Sequence, residues 1–173
     1  TDAGYNVQVF CLNAASMGVP QKRERVFFIG QKKEYSLPKL KLEFSEVAIP
    51  FGEIDNNTKG KPITGEMLKY WEVCPKGNSL SKVHPKGNYF GSYKISESVV
   101  SNTIIGSDSS PVLHYKYPNY LSNDNICQIG TYPLDYNFKL IEPKYLIGMS
   151  VPPVMTAQIA NQIKIQWLDK IYE

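Results

Sequence analysis

The stretch from Gly18 to Gly30 has the sequence GVPQKRERVFFIG, and it decides the fold predicted for this 173-residue chain. Its apolar part, Arg25 to Ile29, has hydrophobic residues at consecutive positions, as is typical of a strand buried on both faces of an α/β sheet. Upstream, Asn6 to Leu12 alternates polar and apolar residues, as a half-buried strand does. The residues between these segments are rich in Asn, Ser, Gly and Pro, so they predict a loop. The N-terminal part of the chain is therefore predicted to be strand, loop, strand.

The composition is that of an ordinary globular protein with a small positive charge. Hydrophobic residues make up 42% and charged residues 20%, which argues against disorder, a fibre or a coiled coil. The formal net charge of +3 permits an anionic partner without requiring one. Only two of the 19 basic residues are arginines, Arg23 and Arg25. On a strand, this spacing of two places both side chains on the same face.

Cysteine and histidine usage predicts no metal site. The chain has three cysteines at wide spacing and two histidines, and it has no Cys-x-x-Cys pair: Cys11, Cys74, Cys127, His84 and His114. The odd number of cysteines favours free thiols in a reducing cytosol. The longest apolar runs are too short to cross a bilayer, so no membrane partner is expected. Because the chain begins at Thr1 rather than Met, we expect a piece of a longer polypeptide, with a processed terminus as the alternative.

The segment from about Tyr35 to Tyr117 has a different amino-acid composition. Prolines and glycines recur, lysines dominate the charge, and short β-prone pieces lie between turns. This pattern predicts a small, irregular, mainly β domain without helices. The turns at 75–78 and 85–88 share the sequence PKGN, but two copies do not require a repeat fold.

The last segment is predicted to be helical. Ser122 to Asn125 offers N-cap residues before a short helix that ends at Gly130. A long helix is predicted from Val154 to about Ile171, after a pair of prolines that its first turn tolerates. Apolar residues recur every four positions along it, and this stripe is expected to pack in a core: Met155, Ile159, Ile163, Trp167 and Ile171.

Three segments of the chain resemble the DNA (cytosine-5)-methyltransferase family. Gly18 to Gly30 is similar to the eighth conserved motif, in which Pro, Gln and two alternate arginines precede an apolar strand. Leu121 to Phe138 is similar to the ninth motif, and Ile147 to Pro153, with the helix that follows, to the tenth. Because the three lie in the right order around a variable insert, the chain is identified as the C-terminal part of a family member.

The resemblance implies an α/β fold with three parts. Residues 1–33 would end a Rossmann-like catalytic sheet, and residues 34–117 would form a small irregular, mainly β target recognition domain. Residues 118–173 would return to the catalytic domain through motifs IX and X and a long C-terminal helix. The chain holds no Pro-Cys nucleophile, no Glu-Asn-Val segment and no glycine-rich cofactor turn, so by itself it is expected to be inactive.

The resemblance also implies a reaction and its partners. The whole enzyme would transfer a methyl group from S-adenosylmethionine to carbon 5 of a cytosine flipped out of double-stranded DNA. Its N-terminal catalytic part would lie in the same chain or in a separate subunit, and a bacterial, cytoplasmic restriction–modification system is expected. Two alternatives stay open: a recognition module without catalysis, separately encoded or relic, and an enzyme that methylates RNA.

The resemblance further implies a set of site residues. Arg25 would hold the flipped cytosine, since a planar guanidinium can donate in fork geometry, and Arg23 would support the site. DNA contacts are expected from Gln21, from Thr103 near the target base, and from lysines that bind phosphates: Lys59, Lys61, Lys76, Lys82 and Lys86. Part of the cofactor site is expected in a loop before the long helix, because free N–H groups at a helix N-terminus attract a carboxylate: Gly148, Met149, Ser150 and Val151.

Three positions depart from the family pattern. Tyr120 and Asn125 stand where the ninth motif has an arginine and a glutamate, so its usual scaffold pair is missing. Met149 stands where the tenth motif has an asparagine, which removes a side-chain amide from the cofactor pocket.

Overall fold

The computed structural model describes residues 3–89 and 91–171. It begins with an antiparallel hairpin of strands β1 (Tyr5–Asn13) and β2 (Glu24–Lys32). Between them lies a 3-10 turn, Ala14–Met17, whose N-cap Asn13 accepts a hydrogen bond from the Ala15 backbone at 3.1 Å. The predicted order of strand, loop and strand is confirmed.

The two faces of this hairpin differ in burial. On the inner face, Phe10 and Phe27 pack against the core that also holds the C-terminal helix. On the outer face, Val9 and Phe28 pair across the strands and are 60% and 73% exposed. The prediction that the second strand is buried on both faces is wrong for this chain, because no layer of the described residues covers the outer face.

The insert and the residues just after it form a five-stranded sheet, whose strands lie side by side in the order β3 (Lys59–Pro62), β7 (Asn119–Leu121), β6 (Val112–Leu113), β5 (Tyr93–Lys94) and β4 (Asn78–Ser79). Strands β5 and β6 are parallel, and the other neighbours are antiparallel. Besides these strands, this part of the chain contains two short helices and two 3-10 turns: 3-10 turn Lys33–Tyr35, α1 (Phe51–Ile54), α2 (Glu66–Val73) and 3-10 turn Leu80–Lys82. The prediction of short strands between turns is confirmed.

Helix α2 contradicts the expectation of an insert without helices. Its apolar residues Met67, Leu68 and Trp71 pack against a small core that includes Leu80 and Leu113. The helix has only eight residues, or about two turns, and such a length shows no clear period among the surrounding lysines and glutamates.

The C-terminal segment is helical, as predicted. It contains α3 (Asn123–Ile129), α4 (Pro143–Met149), α5 (Pro153–Ile163), a π-helix (Lys164–Leu168) and α6 (Asp169–Ile171). Ser122 is the N-cap of α3 and accepts a hydrogen bond from the Asn125 backbone. Of the predicted apolar stripe, Met155, Ile159 and Trp167 are buried and Ile163 is half-buried, but Ile171 is exposed, so the prediction is wrong for its last residue. Among the described residues, no helix combines the length and apolar character needed to span a membrane.

The packing of the cores shifts one expected domain boundary. Leu40 and Leu42 lie beyond residue 33, yet they pack with the hairpin and with Met155 of α5. A second core joins Phe51 and Ile104 of the insert to apolar residues of α3 and α4. The segment up to about Phe44 therefore packs with the hairpin, and the insert shares a core with the C-terminal helices.

Candidate functional site

Arg23 is a buried arginine, 1% exposed, just before β2. Its guanidinium donates hydrogen bonds to the backbone carbonyls of Ile104 at 3.0 Å, Gly148 at 2.7 Å and Ser150 at 2.7 Å. Burial, with a smaller contribution from the charge of Arg25, lowers the pKa of Arg23 to about 10, so the group stays protonated near neutral pH. Arg23 thus ties the start of β2 to the insert and to the junction of α4 and α5.

Arg25 lies at a cleft of about 480 Å³, lined by Asn13, Lys22, Glu24, Arg25 and Thr103. Its side chain is partly exposed, and among the described residues its guanidinium makes one hydrogen bond, from Nη1 to the Glu24 carbonyl at 2.8 Å. The remaining N–H groups are available to a ligand. The cleft therefore presents an accessible guanidinium whose position is set by β2 and, through Arg23, by two distant segments.

Thr103 reaches this cleft because its segment runs beside residues 21–23. Lys22 donates from its backbone to the Ser101 carbonyl at 2.8 Å, and the Thr103 hydroxyl donates to the Lys22 carbonyl. The structure therefore brings Thr103 and Arg25 together, although they are 78 positions apart in the sequence. A contact of Thr103 with DNA remains a prediction.

Gln21 has a different position from the one expected for a DNA contact. Its side chain is 1% exposed, and its amide donates to the Ile129 carbonyl at 3.3 Å and accepts from the Ile104 backbone at 3.2 Å. Its Oε1 also accepts from Arg23 at 3.3 Å. A direct contact between Gln21 and DNA does not fit this burial, so Gln21 is a structural partner of Arg23.

The segment expected to hold the cofactor is not a loop throughout. Gly148 and Met149 are the last residues of α4, and the link to α5 is short. A Cβ on Gly148 would lie 2.2 Å from the Gly106 nitrogen, so only glycine allows this backbone contact between α4 and the insert. The expected loop is wrong in its first half because the helical hydrogen bonds continue to Ser150, whose backbone donates to the Leu146 carbonyl.

The N-terminus of α5 offers fewer free N–H groups than a carboxylate site at a helix N-terminus would have. Pro152 and Pro153 have no N–H, and the Val154 backbone donates to the Thr131 hydroxyl at 3.2 Å. The Ser150 hydroxyl donates to the Ile147 carbonyl at 3.0 Å. The segment exposes the side chain of Met149, which is 68% exposed, and a contact of this segment with a cofactor remains a prediction.

The lysines predicted to bind phosphates lie on separate surfaces. Lys59 and Lys61 line a cleft of about 820 Å³ that also carries three carboxylates: Asp108, Asp124 and Glu142. Lys76 pairs with Glu97, and Lys82 and Lys86 are exposed on the loop after α2 and β4. Of these five lysines, Lys59 and Lys61 share their cleft with acidic side chains and Lys76 forms an ion pair. Lys82 and Lys86 are therefore the two with the fewest carboxylates near them.

A buried polar network, missed from the sequence, holds the insert against α3. The His114 imidazole and the Asp55 carboxylate lie 3.1 Å apart, with side chains 1% and 2% exposed. The Asn125 amide donates to Asp55 at 3.4 Å and to Asn56 at 3.2 Å, and its oxygen accepts from the Ser122 hydroxyl. Asn125 thus connects α3 to the segment of Asp55 and Asn56 through its own hydrogen bonds, at a position where the resemblance led us to expect a glutamate.

Tyr120, the other departure in the ninth motif, packs within the insert. It lies against the small core around Leu80 and Leu113, and its hydroxyl contacts the Met67 sulfur at 3.8 Å. The signal for this arrangement in the sequence is weak, because the partners of both residues lie about 50 to 70 positions away. Among residues 3–89 and 91–171, no group of three or more His, Cys, Asp or Glu side chains could hold a metal ion.

Solved structures of methyltransferases share this fold. The Entamoeba histolytica methyltransferase EhMeth has a TM-score of 0.64 and 11% identity, with 95% of this chain and 55% of that chain covered. A variant of Spodoptera frugiperda DNMT2 has a TM-score of 0.63 and 12% identity, with 94% and 59% covered. The α/β fold with its small inserted sheet and C-terminal helix is therefore shared with these solved structures.

Sequence comparison finds similar proteins among the DNA methylases. Residues 1–61 match the family model of the C-5 cytosine-specific DNA methylases. The Type II methyltransferase M1.HphI of Haemophilus parahaemolyticus is 25% identical, over 92% of this chain and 48% of its own length. The Type II methyltransferase M.BbvI of Brevibacillus brevis is 26% identical, over 87% of this chain and 46% of its own length. Over residues 1–61 the chain is similar to the C-5 cytosine-specific DNA methylases, and it spans about half the length of these relatives.

Proposed function

We propose that this chain is the C-terminal, DNA-recognising part of a DNA cytosine-5 methyltransferase of a bacterial restriction–modification system. The observation that carries the proposal is the accessible guanidinium of Arg25 in a cleft that Thr103 of the insert also lines. The family match and the Type II methyltransferase relatives support double-stranded DNA as the partner.

Chemistry at carbon 5 of cytosine requires the base to leave the helical stack, because the ring is unreachable inside a duplex. A flipped cytosine presents a ring carbonyl, and the fork of Arg25 can donate hydrogen bonds to it. When a nucleophile adds to the ring, negative charge develops on that carbonyl, and a fixed guanidinium stabilises it. S-adenosylmethionine supplies the methyl group when bound. In this proposal Arg25 holds and polarises the base, and Arg23 positions the strand that carries Arg25.

The outer face of the hairpin supports a partner that completes the catalytic domain. Val7, Val9, Val26 and Phe28 are all between 45% and 73% exposed on this one face. Exposed apolar surface of this kind is typical of an interaction site. We propose that the N-terminal catalytic part of the enzyme, in the same chain or as a separate subunit, covers this face and contributes the cysteine nucleophile and most of the cofactor site.

Reconstitution tests the proposal. The chain is combined with a catalytic part that carries the missing motifs, and transfer of a labelled methyl group to duplex DNA is followed. We expect transfer only when both parts are present. No transfer with a catalytic part that is active with another recognition domain would contradict the proposal. Transfer to tRNA but not to DNA would favour the RNA alternative, and salt-dependent duplex binding without any transfer would favour a recognition module.

A further inference from the structure

The loop from Val83 to Tyr89 in the insert carries a histidine with a fixed proton position. The Nδ1 atom of His84 accepts hydrogen bonds from the backbone of Lys86 at 3.0 Å and of Asn88 at 3.2 Å. A ring nitrogen that accepts two N–H groups does not itself carry a hydrogen, so Nε2 carries it and is a donor. His84 therefore presents a donor and no acceptor to any ligand.

The imidazole of His84 is also fixed in orientation. Its ring centroid lies 4.6 Å from that of Tyr70 and 5.6 Å from that of Tyr89. Both tyrosine hydroxyls donate to the Glu66 carboxylate, at 3.2 and 3.4 Å, which locks the two rings beside the histidine. The side chain of His84 is half-buried, and among the described residues its Nε2 has no hydrogen-bond partner. The result is a single donor held in a defined direction.

The backbone of this loop has two residues with positive φ angles. Gly87 and Tyr89 have φ angles of 68° and 62°, and this left-handed conformation is unfavourable for a tyrosine. The bonds from two backbone N–H groups to His84 and the ring contacts of Tyr89 hold the loop in this shape. Lys82 and Lys86 are exposed on either side of His84 in the sequence. A fixed donor flanked by two exposed positive charges is suited to a surface that carries both ordered acceptors and phosphates.

We propose that His84 reads a base edge in the DNA major groove, donating from Nε2 to a base acceptor while Lys82 and Lys86 bind neighbouring phosphates. The major groove presents acceptors on guanine, on adenine N7 and on thymine O4, and donors on cytosine and on the adenine amino group. A single fixed donor distinguishes the first set from the second, whereas lysines on phosphates carry no sequence information. This inference rests on the proposed function and assigns a specificity-determining residue to it.

The test uses the chain assembled with its catalytic part and a pool of duplexes with randomised positions. Wild-type protein is expected to select a sequence motif. His84→Asn is the informative variant, because the Asn oxygen can still accept the two backbone N–H groups while the Nε2 donor is lost. We expect a preference of roughly tenfold at one base position to fall below about twofold, with the other positions unchanged.

Lys86→Ala is the matched control from the same loop. Removing a phosphate contact is expected to weaken binding to all duplexes alike and to lower the slope of log K against log salt by about one. If His84→Asn unfolds at a lower urea concentration than wild type, His84→Gln takes its place, since its amide nitrogen can reach the position of Nε2. Retained preference at that position in His84→Gln then supports the assignment, and loss of the preference there contradicts it.

The outcomes separate this inference from the proposed function. If wild type selects a motif and His84→Asn selects the same motif with the same strength at every position, the role of His84 is wrong and the proposed function stands. If the wild-type complex transfers methyl groups to no duplex and selects no motif, both are wrong.

Discussion

Arg23 and Arg25 are identical side chains, two positions apart, in opposite environments. Arg23 is buried and donates to three backbone carbonyls, whereas Arg25 is partly exposed at a cleft with one hydrogen bond to its neighbour's carbonyl. Burying a guanidinium is costly unless it is hydrogen-bonded, and the three carbonyls hold Nη1 and Nη2 of Arg23, while its Nε has no partner among the described residues. Arg25 has no such constraint and keeps donors for a ligand.

Replacement of Arg23 is expected to be far more destabilising than replacement of Arg25. Arg23→Lys keeps the charge, but a single ammonium cannot reach the carbonyls of Ile104, Gly148 and Ser150 in the same fork. We expect the free energy of unfolding to fall by about 3 kcal/mol for Arg23→Lys and by less than about 1 kcal/mol for Arg25→Lys. Urea unfolding of both variants checks this. Equal losses of unfolding free energy in the two variants would contradict the structural role assigned to Arg23.

At the scale of elements, the buried network links the insert to helix α3. His114 accepts at Nδ1 from the backbone of Lys116 at 3.0 Å and of Tyr117 at 3.4 Å, and its Nε2 faces Asp55. Burial raises the pKa of Asp55, but hydrogen bonds from Asn57 and His114 outweigh it and hold the pKa below its ordinary value. The network therefore contains a neutral imidazole beside a carboxylate that is ionised at neutral pH.

Acidification is expected to weaken this network. Burial lowers the pKa of His114 below its ordinary 6.5, against the opposing effect of Asp55 and with a smaller contribution from Lys116. Below pH 6.5 the unfolded chain then binds more protons than the folded one, so the free energy of unfolding falls as pH decreases from 6.5 toward the folded-state pKa. The contribution of Asp55 is lost only at lower pH, below about 3.8.

His114→Gln isolates this effect, because Gln can donate to Asp55 and does not titrate. Urea unfolding at pH 7.5 and pH 5.5 is expected to show a larger loss of stability for wild type than for the variant. The same loss in both proteins would mean that His114 does not sense pH in this range.

The sequence predicts those elements whose pattern is local. The alternation of Asn6 to Leu12 predicts a strand, and the four-residue spacing in the last helix predicts its buried stripe. The burial of Arg23 and the Asp55–His114 pair depend on partners 59 to 127 residues away, which no local period shows. Helix α2 is too short for a recognisable period, and Gln21 is buried through bonds to residues far along the chain.

At the scale of the whole molecule, the hairpin is a sheet with one covered face. Two-stranded sheets are marginally stable alone, and here the inner face is held by the core of α5 and Trp167. The outer apolar face has no cover among the described residues. This asymmetry is what a domain completed by another segment would show, and the relatives, of which this chain spans about half, are long enough to supply that segment.

Phe28→Ser tests this surface. The side chain is 73% exposed, so we expect the free energy of unfolding of the isolated chain to change by only about 0.5 kcal/mol. Its affinity for the catalytic part is expected to fall about tenfold or more. Burying a phenylalanine side chain contributes about 1.5–3 kcal/mol, and about 1.4 kcal/mol corresponds to a tenfold change in affinity. Val47→Ser, at a residue 87% exposed outside the hairpin, is the control and is expected to leave the affinity unchanged. Equal affinities for Phe28→Ser and wild type would exclude this face as the interface.

The role of Arg25 is most directly tested by measuring methyl transfer and duplex binding on the same variant. In the complex with its catalytic part, Arg25→Ala is expected to lower the rate of transfer to DNA by at least about a hundredfold, because it removes donors that stabilise the reacting base. Duplex affinity is expected to change little, and Lys39→Ala, which removes an exposed charge of the same sign, is expected to leave transfer intact. A loss of transfer of only about twofold in Arg25→Ala would contradict the assignment of this cleft as the site that holds the target cytosine.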